Sequence, residues 1–168
     1  MPFYSWGGGG GAIVPISGAP VVGTDTVQTL TIGGTPTGGT FTLTVAGRST
    51  VPITWSNVNA TLLAAINAAI TTILGASQVV ATAGTLAAGI GTILLTHSGT
   101  NVAKSTNALV GVGSNAMTGT APTLAIATTT PGVDATLRGA PRGTVAIDTA
   151  TGTQYRQTSA NPNAPTWT

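Results

Sequence analysis

The residues that could support catalysis are few, and their spacing favours no active site. The single histidine, His97, stands next to Ser98 at the end of the stretch TILLTHSG. A nucleophilic serine and its histidine base have to converge from different segments, so two sequence neighbours do not form such a pair. We therefore interpret His97 as a polar residue at the end of a strand.

Acidic side chains are equally scarce. The chain has three acidic residues, and all of them are aspartates: Asp25, Asp134 and Asp148. Glycoside hydrolysis needs two carboxylates that converge on one bond, whereas each of these aspartates stands in a turn-like context where Asp commonly fixes the backbone. Because titratable groups are the raw material of catalysis, the sequence predicts a protein that is not an enzyme.

Cofactor and metal sites are not predicted either. The chain contains no cysteine, which excludes disulfides and thiolate metal sites. No group of Asp and Asn residues has the spacing of a calcium loop, and the run GGGGG near the N-terminus lacks the Lys-Ser/Thr ending of a phosphate-binding loop. We therefore expect no cofactor and no metal ion.

Basic residues do not form a nucleic-acid-binding cluster. Charged residues make up 5% of the chain, against about 25% in a typical soluble domain. Nucleic-acid binding relies on several clustered basic side chains, so no nucleic acid is expected as a partner. Arg138 and Arg142 flank the sequence GAP in a loop, and a guanidinium binds a carboxylate through two parallel hydrogen bonds. The pair is a candidate for contacting acidic groups of a neighbour, and the alternative is two solvated loop arginines.

Aromatic residues are concentrated in the first positions of the chain. Phe3, Tyr4 and Trp6 precede the five glycines Gly7–Gly11, which cannot hold a regular element cheaply because glycine loses the most backbone entropy on ordering. The pattern predicts a flexible tether that ends in an aromatic anchor, since exposed Trp and Tyr are enriched where proteins bind each other. The alternative is a mobile terminus with chance aromatics.

The N-terminal stretch MPFYSWGGGGGAIVP does not have the pattern of a targeting signal. It has neither the basic nor the long apolar region of a signal peptide, and no stretch of the chain reaches about 18 apolar residues. We expect synthesis in a cytoplasm and no membrane partner.

The body of the chain predicts strands and one helix. Alternation of apolar and polar residues over 27–32 and 40–47 is typical of half-buried strands, with GGTPTGG between them as a turn and a short strand at 51–55. Apolar residues at spacings of three and four predict a helix near 58–74. Asn57 or Asn59 would cap it and Gly75 would end it. The helix packs on the sheet or, alternatively, on a partner.

Four further strands are predicted after the helix, at 77–84, 91–99, 105–113 and 121–132. The fold class is therefore mainly β (α+β), with a small antiparallel sheet or sandwich and one covering helix. An extended N-terminal arm and a C-terminal β-hairpin arm flank this body. The predicted domains are an arm at 1–24, a β-rich body at 25–130, and a hairpin with its tail at 131–168.

The C-terminal hairpin has a clear turn signal. Strands are predicted at 144–148 and 153–158 around DTATGT, with Gly152 at the position that requires a positive φ. Tyr155 lies on the second strand, and Trp167 follows in the tail. Both aromatic residues are candidates for contacts between subunits, and the alternative is packing within the hairpin.

Two stretches resemble structural proteins of tailed bacteriophages. The hairpin sequence GTVAIDTATGTQYRQT, with PTWT after it, is similar to a terminal module of such virion proteins. The stretch TVQTLTIGGTPTGGTFTLTVAGRSTVPITWSNVNATLLAAINAAI resembles a virion domain with a Gly-Thr-Phe-Thr-Leu-Thr strand, a Pro-Ile segment and an Ala-, Leu- and Ile-rich helix. The chain most resembles a capsid decoration (cement) protein.

This resemblance implies a non-enzymatic structural protein on the capsid surface of a virion, made in the host cytoplasm. Its implied partners are the major capsid protein and other copies of itself in a homotrimer. Two other classes compete with this interpretation: a head fibre, spike or tail adaptor for host attachment, and a secreted enzyme or adhesin. The latter would need a signal sequence or a titratable cluster.

Overall fold

A computed structural model describes residues 13–20, 23–98, 109–133, 142–158 and 166–168. The chain divides into two compact units. Residues 25–133 form the body, and the segments 1–24 and 134–168 together form what we call the terminal unit. The predicted fold class is confirmed, because the structure is mainly β with open antiparallel sheets and one helix.

The elements follow one another along the chain as strands around that helix. They are β1 (Ile13–Ile16), β2 (Thr26–Val45), β3 (Arg48–Ser49), β4 (Ile53–Thr54), α1 (Asn59–Leu74), β5 (Val79–Ala83), β6 (Gly91–His97), β7 (Val110–Thr130), β8 (Val145–Asp148) and β9 (Gln154–Arg156).

Two very long strands organise the body. β2 has 20 residues and β7 has 21, and they pair antiparallel from one end to the other with four register shifts. The prediction of a turn at GGTPTGG was therefore wrong, and so was the prediction of separate strands at 105–113 and 121–132. Two register shifts lie in this stretch, between Gly33 and Thr35 and between Pro36 and Gly38, and Gly34 has the positive φ that glycine allows at a bulge. The chain therefore continues along the ladder instead of reversing.

The ribbon of β2 and β7 bends back on itself. The side chain of Gln28, near the start of β2, bonds the backbone of Val110, which pairs with Val45 at the opposite end of β2. In a straight strand, residues 28 and 45 would lie about 55 Å apart. The bulges also shift the buried positions from even to odd numbers, so that Leu30 and Phe41 both face the core.

The core lies between the halves of this ribbon, β5, β6 and the helix. Leu62, Ile66, Ala69 and Ile70 form the buried face of α1, which packs against β5, β4 and β2. The other buried apolar residues are Leu30, Ile32, Phe41, Leu43, Val45, Ile53, Val79, Ala81, Leu86, Ile93, Leu95, Val110 and Met117.

The C-terminal end of the helix agrees with the sequence prediction, whereas its N-terminal cap does not. Gly75 ends it as predicted, with a φ of 89° and its N–H bonded to the carbonyl of Thr71. The capping role of Asn57 or Asn59 was wrong, because Val58 is the N-cap and makes no side-chain cap bond. Asn59 instead uses its amide to bond the Leu86 carbonyl and the Gly89 N–H, which ties the helix start to the 86–90 turn.

The terminal unit is a second, smaller sheet with the order β1-β8-β9. β8 and β9 form the predicted hairpin, and Gly152 in its turn has the expected positive φ of 73°. Residues 13–16, which the sequence placed in a flexible arm, form β1 and pair parallel with β8. The backbone of residues 166–168 bonds the backbone of residues 156–158, so the sheet gains a short fourth segment beyond β9.

Candidate partner-binding site

Four of the predicted contact residues lie outside the described residues. They are Phe3, Tyr4, Trp6 and Arg138, and their role in binding a neighbour stays a prediction.

The other three, Arg142, Tyr155 and Trp167, all lie in the terminal unit. Arg142 is exposed just before β8, Tyr155 is half-buried in β9 opposite Ala146, and Trp167 is half-buried opposite Gln157. The structure thus brings one arginine and two aromatic residues into one small sheet. Both aromatic side chains are only partly buried. Their exposure is therefore compatible both with packing inside the hairpin and with contact to a neighbour.

A cavity in the terminal unit gathers two of the chain's arginines. It has a volume of about 570 Å³ and is lined by Arg142, Gly143, Arg156, Gln157, Thr158 and Thr168. The Gly143 N–H donates to the Gln157 carbonyl at 2.9 Å, and the Gln157 N–H donates to the Thr144 carbonyl at 2.8 Å. These bonds hold the backbone before β8 against the backbone after β9, which is what brings Arg142 and Arg156 to one cavity.

The sequence analysis did not single out Arg156. The hairpin turn at Gly152 sets the register of the two strands and could have revealed that Arg142 and Arg156 meet at the open end of the hairpin. Two guanidinium groups beside one opening favour an anionic ligand, since arginine forms planar, charge-assisted hydrogen bonds with carboxylates. The arrangement can therefore bind acidic groups.

Unpaired polar atoms lie next to this cavity. Both amide atoms of Gln157 and the indole Nε1 of Trp167 are buried and have no hydrogen-bond partner among the described residues. Each such group costs about 1–3 kcal/mol when it is left unsatisfied. A polar group outside the described residues, or water, therefore has to satisfy these atoms.

Asp148 fixes the hairpin turn instead of serving as a free carboxylate. Its oxygens accept hydrogen bonds from the Thr151 hydroxyl at 2.7 Å, the Ala150 N–H at 3.0 Å and the Gly18 N–H at 3.1 Å. These bonds, that of Thr151 first, hold the pKa of the carboxyl below its usual range. The Asp148 carboxylate therefore stabilises the hairpin turn and also connects it to Gly18, which follows β1.

His97 is buried at the end of β6, as the sequence predicted for a polar residue at the end of a strand. Gln28 accepts the Val110 N–H at 2.7 Å with Oε1 and donates to the Val110 carbonyl from Nε2 at 3.0 Å. Since Oε1 can only accept, His97 donates to it from Nε2 at 2.9 Å. The buried Nδ1 of His97 has no hydrogen-bond partner among the described residues.

Burial lowers the pKa of His97 below its ordinary value, and the negative charge of Asp25 opposes this effect only in part. The neighbouring Ser98 is exposed. His97 therefore links β6 to β2 and, through Gln28, to the first residue of β7.

Two other kinds of functional feature are absent from the described residues. Among them, no group of three or more His, Cys, Asp or Glu side chains could hold a metal ion. No helix in the described ranges has the length and apolar character needed to cross a membrane. No protein-family model matches the chain, and no curated protein has a significantly similar sequence.

Proposed function

We propose that this chain is a non-enzymatic structural protein of a tailed-phage virion, which binds and stabilises the assembled capsid as a decoration (cement) protein. The observation that carries the proposal is the exposed cavity of the terminal unit, where Arg142 and Arg156 stand ready for acidic groups. The resemblance of the hairpin and of the β2–α1 stretch to virion proteins supports the same role.

The mechanism we propose is adhesive. A protein that binds the mature capsid lattice, and not its separated subunits, stabilises that lattice by mass action. The arginines would bind carboxylates of the major capsid protein, and the aromatic residues Phe3, Tyr4 and Trp6 would bind a second site on the capsid surface. Several weak contacts from one particle multiply through effective concentration, and the homotrimer implied by the resemblance would increase their number.

Cosedimentation with undecorated phage capsids tests this proposal. We expect the wild-type chain to pellet with capsids, and the double variant Arg142→Ala/Arg156→Ala to lose affinity by about tenfold or more, because hydrogen bonds to charged groups contribute about 1.5–3 kcal/mol each. The matched control is Arg48→Ala, which removes an exposed arginine of β3 in the body and should leave binding unchanged.

A wild-type chain that stays in the supernatant at every capsid concentration would contradict the decoration role. Binding of that chain to host cells instead would support the alternative of a head fibre, spike or tail adaptor. Equal loss in the double variant and in Arg48→Ala would show that overall charge, and not the cavity, governs binding.

A further inference from the structure

A buried cluster of three residues closes the bent ribbon of β2 and β7. Gln28 lies near the start of β2, His97 is the last residue of β6 and Val110 is the first residue of β7. The side-chain amide of Gln28 bonds both backbone groups of Val110, as a residue of a neighbouring strand would, and its Oε1 also accepts the Nε2–H of His97. We call this cluster the clasp, because it holds the start of β7 to the start of β2, whereas the ladder pairs the start of β7 with the end of β2.

The clasp is shielded from water. The exposed fractions of Gln28, His97 and Val110 are 3%, 0% and 2%. Burial disfavours the charged form of an ionisable group, because the group loses hydration that only a partner can replace. A positive charge on the imidazole of His97 therefore destabilises the closed clasp.

The hydrogen bonds of the clasp fix where a second proton on this imidazole would lie. The backbone of Val110 sets the orientation of the Gln28 amide, since its N–H needs the amide oxygen and its carbonyl needs the amide nitrogen. Nε2 of His97 then has to carry the first proton, and Nδ1 is left for the second. Nδ1 is buried and has no hydrogen-bond partner among the described residues. A second proton would therefore add an unsatisfied donor as well as a charge.

Asp25 is the charged residue that acts on this imidazole. It lies just before β2, and its negative charge raises the pKa of His97, although burial has the larger and opposite effect. None of the elements β2, α1, β5 and β7 includes a charged residue. Asp25 is the only acidic residue of the body, and it lies outside the clasp.

We propose that the clasp is a pH-sensitive switch, which holds the start of β7 to β2 only while His97 is neutral. When the imidazole takes up its second proton, it leaves the buried site and Val110 separates from Gln28. The ladder of β2 with β6, which runs over Thr26–Ile32, uses neither Val110 nor the side-chain amide of Gln28. The start of β7 is therefore released while this ladder stays intact. The inference does not rest on the capsid-binding role, and neither result decides the other.

Amide hydrogen exchange of Val110 tests the switch, because its N–H is bonded to Gln28 in the closed clasp. The protection factor, which removes the pH dependence of an unprotected amide, should fall as the pH decreases below 6.5. The fall should reach at most about tenfold per pH unit, since one proton is taken up on opening.

A second amide distinguishes opening of the clasp from unfolding of the body. Leu30 pairs with both β6 and β7 in the core of the sheet, so its exchange reports global unfolding. We expect lower protection at Val110 than at Leu30 at every pH. Low urea concentrations should speed exchange at Leu30 and leave Val110 unchanged, because local opening exposes little surface.

The matched variant is His97→Gln, whose amide can still donate to Gln28 but does not titrate. Its Val110 protection should be independent of pH between 7.5 and 5. Circular dichroism reports whether the variant is folded.

The imidazole itself provides a measurement that needs no variant to fold. His97 is the only histidine, so its ring gives a single set of NMR signals. Their titration midpoint should lie below the ordinary pKa of about 6.5, and the loss of protection at Val110 should follow the same protonation. Asp25→Asn should move the midpoint to a lower pH, because the carboxylate raises the pKa of His97. Arg48→Gln, at an exposed position in β3, is the charge control and should leave it unchanged.

Three results would overturn the switch. They are a protection factor of Val110 that is constant between pH 7.5 and 5, an equal fall in folded His97→Gln, and equal protection of Val110 and Leu30 at every pH, since the clasp would then open only when the body unfolds.

Discussion

At the scale of single residues, the polar side chains that looked like candidates for chemistry turn out to hold strands and turns. The carboxylate oxygens of Asp148 accept three hydrogen bonds around one turn. His97 and Gln28 together connect β6, β2 and the start of β7. The chain has few titratable groups. The contribution of one buried group to the pH dependence of the free energy of unfolding is therefore easier to measure than in a charge-rich protein.

His97 leads to a pH-dependent stability. Unfolded histidine takes up a proton near its ordinary pKa of about 6.5, whereas burial lowers the pKa in the folded state. The unfolded chain therefore binds more protons in the window below pH 6.5, and the free energy of unfolding falls as the pH decreases through that window. Urea denaturation between pH 7.5 and pH 5 measures this decrease.

The control for this prediction is His97→Gln, because the glutamine side chain does not titrate between pH 7.5 and pH 5. Its free energy of unfolding should vary less between pH 7.5 and pH 5 than that of the wild-type chain, because histidine is the only side chain whose ordinary pKa lies in that range. An equal decrease in both proteins would show that His97 is not the group responsible.

At the scale of elements, local patterns predicted some features and missed others for physical reasons. The helix near 58–74 and the hairpin turn at Gly152 depend on neighbouring residues, and both are present. The continuity of β2 through GGTPTGG depends on pairing with β7, which lies far away in the sequence. Glycine and proline predict a turn and a bulge equally well from local sequence, so only the tertiary contact decides between them.

For the candidate site too, the sequence predicted only what depends on the type of a residue and its neighbours in the chain. Arg142, Tyr155 and Trp167 were chosen as candidate contact residues because arginine and aromatic residues are typical of binding surfaces, and their role in contacts stays a prediction. Arg156 was missed because its position beside Arg142 follows from the hairpin register and not from its own neighbours. The single long strand β7 was missed as well, since the sequence predicted two short strands in its place.

The glycines with a positive φ lead to a prediction at this scale. Gly39 has a φ of 85°, and a Cβ there would clash with the backbone of residues 116–118 in β7. Gly39→Ala should therefore destabilise the body by several kcal/mol, as strain and overpacking of about 1–3 kcal/mol each combine. Thermal and urea unfolding measure the loss.

Gly47→Ala is the matched control for that glycine. Gly47 has a similar φ of 75° but open space around its added Cβ, so the substitution should cost only about 1–2 kcal/mol from backbone strain. Similar losses in both variants would show that the positive φ alone matters and that the close approach of β7 at Gly39 does not.

At the scale of the whole molecule, the chain combines a larger body with a terminal unit built from both of its ends. β1 begins at Ile13, and the bonds that hold it come from β8 and from the turn after β8. The aromatic residues Phe3, Tyr4 and Trp6 stand before β1 in the sequence. Capsid attachment and folding should therefore depend on different parts of the N-terminal segment.

Removing residues 1–11 tests this separation. The described sheet of the terminal unit begins at Ile13, after the removed residues. We therefore expect the thermal unfolding temperature to stay unchanged while occupancy on phage capsids falls. A variant with Phe3, Tyr4 and Trp6 replaced by Ser should lose occupancy to the same extent if, as we propose, the aromatic side chains and not the length of the glycine run supply the contact area. Occupancy that is unchanged in both proteins would assign capsid binding to the terminal unit alone, and a loss in the truncated protein only would show that the aromatics do not make the contact.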